Sequence, residues 1–253
     1  VTAHHVAHNR EFWDADADDY QAAHGPALDP DGEMAWGVWR LPESELGILG
    51  DVTGLDVLEL GCGAAQWSIQ LARSGARPVG LDLSGRQLTH AQGAIDARAL
   101  SVPLILADGE RVPVRDECFD VVFCDHGVMG FCDPAVTVRE ASRVLRPGGL
   151  LAFSIGTPLL HATYDERRER QTKKLRSPMF GRREWISEGG TVDYLILTGE
   201  WISLFRANGL VIEDLLELRP PKGATTSYEY VPYRWARRWP AEQIWRVRKE
   251  PRR

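Results

Sequence analysis

The chain has 253 residues, 43% of them hydrophobic and 9% aromatic, with 30 basic and 36 acidic side chains for a net charge of −6. That length allows one large domain or two small ones, and the composition excludes a mainly disordered chain. The negative balance argues against a binder of duplex nucleic acid or of anionic membranes. The sign is uneven: residues 1–53 hold 11 acids against Arg10 and Arg40, while residues 233–253 hold 8 bases against Glu242 and Glu250. Such runs read first as solvated surface. Cys62, Cys118, Cys124 and Cys132 form neither paired Cys-x-x-Cys ligands nor a disulfide framework. With no signal-like apolar segment near residue 1 and no run of roughly 18 apolar residues, the expectation is a reduced, cytoplasmic protein without stable membrane insertion.

Residues 7–22 read as a helix with Phe12, Trp13, Ala17 and Tyr20 toward one side and many acids on the other. His4, His5 and His8 precede it in a stretch expected to fray. A loop with Gly25, Pro26, Pro30 and Gly32 follows, and a short helical stretch starts near Pro42. Together, residues 1–50 are expected to form an N-terminal helical cap. Strands are then expected at Asp56–Leu60, Pro78–Leu83, Pro103–Ala107, Phe119–Cys124 and Leu150–Ile155, with helices at Ala65–Arg73, Gly85–Leu100 and Pro134–Leu145 between them. Short apolar strands alternating with helices call for a mostly parallel sheet covered on both faces. Ser84 and Asp133 are placed to cap helices, the latter followed by a first-turn proline. Residues 158–196 break the rhythm. Glu166–Leu175 is expected to be a charged helix, after which Ser177-Pro178, Gly181 and Gly189-Gly190 interrupt the chain. The segment reads as an insert or lid after the fifth strand, too long for an ordinary turn. Thr198 then caps a helix to Ala207, and strands are expected at Leu210–Leu216 and Ile244–Arg248.

The strongest local signal is Val57-Leu58-Glu59-Leu60-Gly61-Cys62-Gly63-Ala64-Ala65. An apolar strand runs into a glycine turn and directly into a helix, whose first N–H groups face whatever occupies the turn. A second strand ends at Asp82, an acid placed to accept from ribose hydroxyls. Gln66 stands where a dinucleotide Gly-x-Gly-x-x-Gly loop has its last glycine, which argues against an NAD-dependent dehydrogenase, and no Gly-Lys-Ser/Thr follows as in a phosphate-binding loop. No diphosphate clamp is evident.

In these residues the sequence resembles the S-adenosylmethionine-dependent methyltransferases of Rossmann-like fold. Glu59-Leu60-Gly61-Cys62-Gly63 is similar to their first motif, Asp82 to the ribose-binding acid, and Ala107-Asp108-Gly109-Glu110 to the turn that meets adenine. Phe119-Asp120-Val121-Val122 and Leu145-Arg146-Pro147-Gly148-Gly149 resemble their fourth-strand entry and the turn before strand five. The likeness spans about residues 55–156, with five motifs in order; Ala65 departs from it, where many members have a third glycine. The resemblance implies a single domain over residues 1–253 with seven strands in the order 3-2-1-4-5-7-6, only the seventh antiparallel. It implies S-adenosylmethionine as cofactor and S-adenosylhomocysteine as product.

Under that resemblance, Gly61, Cys62 and Gly63 lie by the amino-acid part of the cofactor, Asp82 holds the ribose, and Asp108, with Gly109 or Glu110 nearby, meets the adenine on which Leu83 packs. Glu59 orients the loop or meets the cofactor ammonium, Asp125 forms a wall, and Tyr20 covers the methionine part from the N-terminal flap, where His24 also lies. His126, just past the fourth strand, has a pKa suited to take a proton from an attacking hydroxyl, and is the catalytic candidate. Its alternative role is to shape the pocket. His161, Tyr164 and Asp165 are substrate-side candidates, and His90 reads as a surface or packing residue. Trp13, Trp36, Trp39, Trp185 and Trp201 either dock these segments or wall an acceptor pocket. No metal cluster is evident. The first expectation is O-methylation of a small molecule, with C- or N-methylation or a non-catalytic cofactor-binding protein as alternatives. The negative charge and the lack of an Asn-Pro-Pro-Tyr-type segment argue against a nucleic-acid methyltransferase, and a homodimer is left open.

Overall fold

A computed structural model describes residues 3–181, 183–186 and 190–252. Seven strands form the main sheet: β1 (Asp56–Leu60), β2 (Arg77–Asp82), β3 (Leu104–Leu106), β4 (Phe119–Asp125), β5 (Leu145–Gly156), β6 (Leu210–Glu217) and β7 (Glu242–Lys249). Their order is 3-2-1-4-5-7-6, with β7 antiparallel to both β5 and β6 and the remaining pairs parallel. Alternation along each strand feeds two cores. Leu58, Leu60, Val122 and Phe153 pack on one face with Trp201 and Phe205, while Val57, Phe123 and Ala152 pack on the other with Trp36, Trp67 and Leu71.

The longer helices are α1 (Ala3–His24), α2 (Gln66–Arg73), α3 (Gly85–Asp96), α4 (Pro134–Val144) and α5 (Thr198–Ala207). Ser84 caps α3 by accepting from Gln87 N–H, and Asp133 caps α4 by accepting from Ala135 N–H, each as its sequence position predicts. Thr198 is not a cap. Leu197 holds that position, and its N–H donates to the Glu200 carboxylate 2.9 Å away. Pro42 likewise precedes the short helix Glu43–Leu46 rather than opening it. No helix of the described residues is long and apolar enough to cross a membrane.

Two expectations fail for physical reasons. The stretch 166–175 is not a helix: it holds one 3₁₀ turn, Glu166–Arg168, and a two-residue strand, Arg170–Gln171, paired with Tyr164–Asp165. Its charges gave no apolar stripe to bury against the sheet, so helix propensity had nothing to dock. The insert continues in a second ribbon, Glu184–Ile186 against Val192–Tyr194; Gly189 lies outside the described residues. The start of the chain, expected to fray, is helical from Ala3. His5 Nε2 bonds Glu110 at 2.6 Å, and His8 bonds the carbonyl of Gly190. Asp14 accepts from Ser84 Oγ at 2.7 Å, and Asp18 takes Arg86 and His90. Asp14 and Asp18 of α1 thus face α3, with His90 half-exposed beside Asp18.

Asn9 is the point where α1 holds the insert. Buried to 1% exposure, its amide accepts from Val192 N–H at 2.7 Å and donates to the carbonyls of Val192 and Phe131. Asn9→Ala leaves these backbone groups unpaired, at about 1–3 kcal/mol for each that stays buried. We expect a stability loss of roughly 2–4 kcal/mol by denaturant unfolding, with faster amide exchange at Val192. An unchanged midpoint and unchanged exchange would show that this clamp is not what seats α1.

Candidate active site

The site grows from the end of β1. Gly61 and Cys62 both donate their N–H to the carbonyl of Leu81 on β2, at 2.8 and 2.9 Å. Gly63 N–H donates to one oxygen of Asp82 and Ser84 N–H to the other, each at 2.8 Å. Gly61 has φ +74°, and a Cβ there would crowd the backbone of Gly127 and Val128 at 3.1–3.2 Å, so glycine is required twice over. Gly63 has φ +52°, but a Cβ would meet only Gln87, at 3.8 Å. Its open side belongs to the cavity. Cys62 sends its sulfur the other way, under Gly80, where burial raises the thiol well above its usual pKa and leaves it inert.

Two cavities meet over this turn. The smaller, of about 100 Å³, is lined by Asp82, Leu83, Asp108 and Gly109 among others; the larger, of about 720 Å³, runs past Glu59 and Asp125 to the insert. Trp13, Tyr20, Gly61, Gly63, His126, Gly127 and Phe131 belong to both walls. Asp108 accepts from Glu110 N–H at 2.9 Å. Glu110 itself lines neither cavity: its carboxylate takes His5 and Asp133 N–H, so only its backbone remains near the site.

Glu59 is buried and accepts from both Ser68 N–H, at 3.0 Å, and Ser68 Oγ, at 2.5 Å. Burial raises its pKa to about 8, aided by the charges of Asp125 and Asp82 and opposed by the Ser68 bonds. Asp125 has three protein donors: Gly37 N–H at 3.0 Å, Trp67 Nε1 at 3.3 Å, and Ser154 Oγ. It ties the hairpin Ala35–Trp36/Leu41–Pro42 to β4 and β5 while still facing the larger cavity.

His126 follows β4 with φ +52°, its N–H donating to Ser154 Oγ at 3.1 Å. Its Nε2 bonds Glu242, at the start of β7, whose same oxygen accepts from Val38 N–H at 2.8 Å. Burial draws the imidazole pKa down, but the charge and hydrogen bond of Glu242, with Asp125, outweigh it and leave it above 6.5. The imidazole retains 28% exposure. Tyr20 donates to or accepts from Tyr228 Oη at 2.7 Å, and His24 stacks on Tyr228 with ring centroids 4.1 Å apart.

Of the substrate-side candidates, His161 and Tyr164 line the larger cavity; Asp165 does not, and pairs with Arg176 at 2.6 Å. Among the tryptophans, Trp13 and Trp185 are wall residues, while Trp36, Trp39 and Trp201 are buried in packing. Tyr228, Tyr230, Trp67 and Glu242 escaped the sequence reading. The aromatic spacing of Tyr228, Tyr230 and Tyr233 was the one local signal that pointed to the first two.

Residues 58–153 match the family described as a methyltransferase domain. A demethylmenaquinone methyltransferase of Mycolicibacterium paratuberculosis is 37% identical over 128 residues, 49% of this chain and 52% of that protein. The chain therefore spans about half the length of the curated relatives it matches. Among solved structures, an S-adenosylmethionine-dependent methyltransferase from Mesorhizobium loti superposes with a TM-score of 0.66 at 22% identity, over 81% of this chain and 96% of that one. The 1,6-didemethyltoxoflavin-N1-methyltransferase of Burkholderia thailandensis, solved with 1,6-didemethyltoxoflavin and S-adenosylhomocysteine, gives 0.63 at 15% identity over 99% and 91%.

The residues present fit such a cofactor: each Asp82 oxygen keeps a lone pair beyond its backbone bond, the open side of Gly63 admits close approach, and Leu83 offers an apolar face. Asp82→Ala is expected to weaken S-adenosylhomocysteine binding by about 1–3 kcal/mol. Gly63→Val should weaken it more, by filling the side of the turn that faces the cavity. Calorimetric titration of both folded variants decides this; wild-type affinity in both removes the assignment. Glu59 adds a pH effect. Its folded pKa of about 8 exceeds its ordinary 4.5, so its contribution to ligand-free stability is full below 4.5 and is lost as pH rises through 8. Glu59→Gln should flatten the fall in melting temperature across that window, and an unaltered pH profile would place the proton elsewhere.

Proposed function

We propose, from its likeness to S-adenosylmethionine-dependent methyltransferases and the Rossmann-like fold it shares with them, that the chain transfers a methyl group from S-adenosylmethionine to an oxygen of a small-molecule acceptor. The observation that carries this reading is the shared wall. The glycine turn, His126-Gly127, Trp13, Tyr20 and Phe131 stand between a narrow cavity suited to a nucleoside and a wide, aromatic one suited to an acceptor. When bound, the sulfonium supplies an activated methyl group, and transfer leaves S-adenosylhomocysteine.

Asp82 holds the ribose hydroxyls, Asp108 the adenine amino group, and Leu83 packs on the base. Trp13 and Tyr20, carried by α1, close the site from above and keep water from the reacting atoms. Residues 158–196 serve as the lid on the acceptor side. Glu242 positions His126: with Nε2 committed to that carboxylate, Nδ1 is the nitrogen left to take the acceptor's hydroxyl proton. Alignment of nucleophile and methyl group supplies the larger share of the acceleration.

A base must be neutral, and Glu242 holds His126 protonated to a higher pH than usual. Turnover should therefore rise with pH through that raised value. Glu242→Gln removes the charge that raises it, so the rising limb moves to lower pH. His126→Ala should lower turnover by about 10²–10⁴-fold with little change in S-adenosylhomocysteine affinity. These are measured on an acceptor found by screening hydroxylated aromatic compounds with methyl-labelled cofactor. Near-native turnover in folded His126→Ala, with the rising limb unmoved in Glu242→Gln, would shift the reading to a carbon or nitrogen acceptor methylated by alignment alone.

A further inference from the structure

The two ribbons of the insert share one design. In the first, Tyr164 lies opposite Gln171; in the second, Trp185 lies opposite Asp193. All four residues line the larger cavity. Each ribbon thus contributes one aromatic ring and one hydrogen-bonding side chain to the same wall, and the rings of Tyr164 and Trp185 meet edge-on at 6.2 Å. The two polar members are under-satisfied. Gln171, only 6% exposed, keeps its side-chain oxygen sealed from solvent with no partner, and Asp193 Oδ1 is in the same state. Asn9 fixes the second ribbon by gripping Val192 on both its N–H and its carbonyl, which leaves the neighbouring Asp193 side chain in place at the cavity wall. Burial raises the Asp193 carboxyl pKa to about 7, and a hydrogen bond from Thr191 offsets this only in part.

Native structures seldom leave buried acceptors unpaired, and those that remain call for a ligand or a function. We propose that Gln171 and Asp193 read the acceptor, and that the cavity takes a planar ring bearing an N–H or O–H donor. The ring lies along Trp185 and Tyr164, and the donor reaches the two waiting oxygens after small side-chain rotations. An apolar wall with a few fixed polar groups selects sharply, because a ligand lacking the donor leaves both oxygens unpaired. This inference rests on the methyl-transfer reading, but it concerns the far wall of the cavity rather than the cofactor side.

The test uses the full chain, with and without added S-adenosylhomocysteine, and two probe pairs: catechol against its dimethyl ether, and 2-aminopyridine against 2-dimethylaminopyridine. Binding is followed by tryptophan fluorescence and ligand-observed NMR. The wild-type protein should favour the donor-bearing member of each pair by tenfold or more, and Asp193→Leu should reduce that preference to near unity. Asp193→Leu should also raise the melting temperature, because it removes a buried acid with one oxygen left unpaired; a merely structural role would lower it. Asp193→Val, smaller and likewise without an acceptor, keeps the experiment valid should the leucine variant fold poorly, and it too should lose most of the preference. Equal binding of both members of each pair by the wild type, or a preference undiminished in both variants, overturns the proposal. Calorimetry with S-adenosylhomocysteine on the same wild-type sample tests the methyl-transfer reading separately. Its failure there would not create or remove a preference between probes measured without the cofactor.

Discussion

The site depends on one carbonyl. Leu81, next to last in β2, accepts N–H groups from both Gly61 and Cys62, so the glycine turn hangs from the neighbouring strand rather than from its own. Asp82 completes the suspension by holding Gly63 with one oxygen and Ser84 with the other. The turn, the end of β2 and the start of α3 therefore form one rigid piece. A one-residue slip between β1 and β2 would exchange the slipped strand's side chains between the two cores and break every one of these bonds. The register that builds the core is also the register that builds the cavity.

Around that fixed piece, the rest of the site is brought from distant parts of the chain. The hairpin before β1 supplies Gly37 N–H to Asp125, which lines the larger cavity, and Val38 N–H to Glu242, which is buried and bonded to His126. Gly37 has φ +71°, and a Cβ there would lie 2.5 Å from a Glu242 oxygen, so this glycine is as confined as Gly61. The insert and the loop before β7 add the aromatic walls. Most of the smaller cavity's lining lies within residues 58–153, which match the methyltransferase domain, and most of the larger cavity's lining lies outside them.

That division explains what could be read from the residues. Local features were legible: the strand–turn–helix around Gly61, the caps at Ser84 and Asp133, and the acid closing β2 each declare themselves within a few positions. Ala65 shows the same locality in a departure from the pattern. It enters α2 at φ +58°, where glycine would be at ease, and it is buried in one apolar cluster with Ile69 and Ala91. Asn9, Tyr228 and Glu242 were not legible, because each owes its role to a partner far away in sequence; Gln171 and Asp193 were not, because only the folded cavity makes them wall residues. The charged stretch 166–175 misled because helix propensity is local, whereas the decision between helix and ribbon was made by what the cavity wall could hold.

The Asn9 clamp also sets the order in which the chain can be completed. Its partner Val192 lies 183 residues later, and at ribosomal rates of about 5–20 residues per second that separation is roughly 10–40 seconds. For that interval α1 has no ribbon to grip, while its phenylalanine and tryptophan await a cavity not yet enclosed. The acids that later face α3 keep the waiting segment soluble by charge. They are surface groups first and docking groups afterwards, so the crowding of negative charge at one end of the chain serves synthesis as well as the folded state.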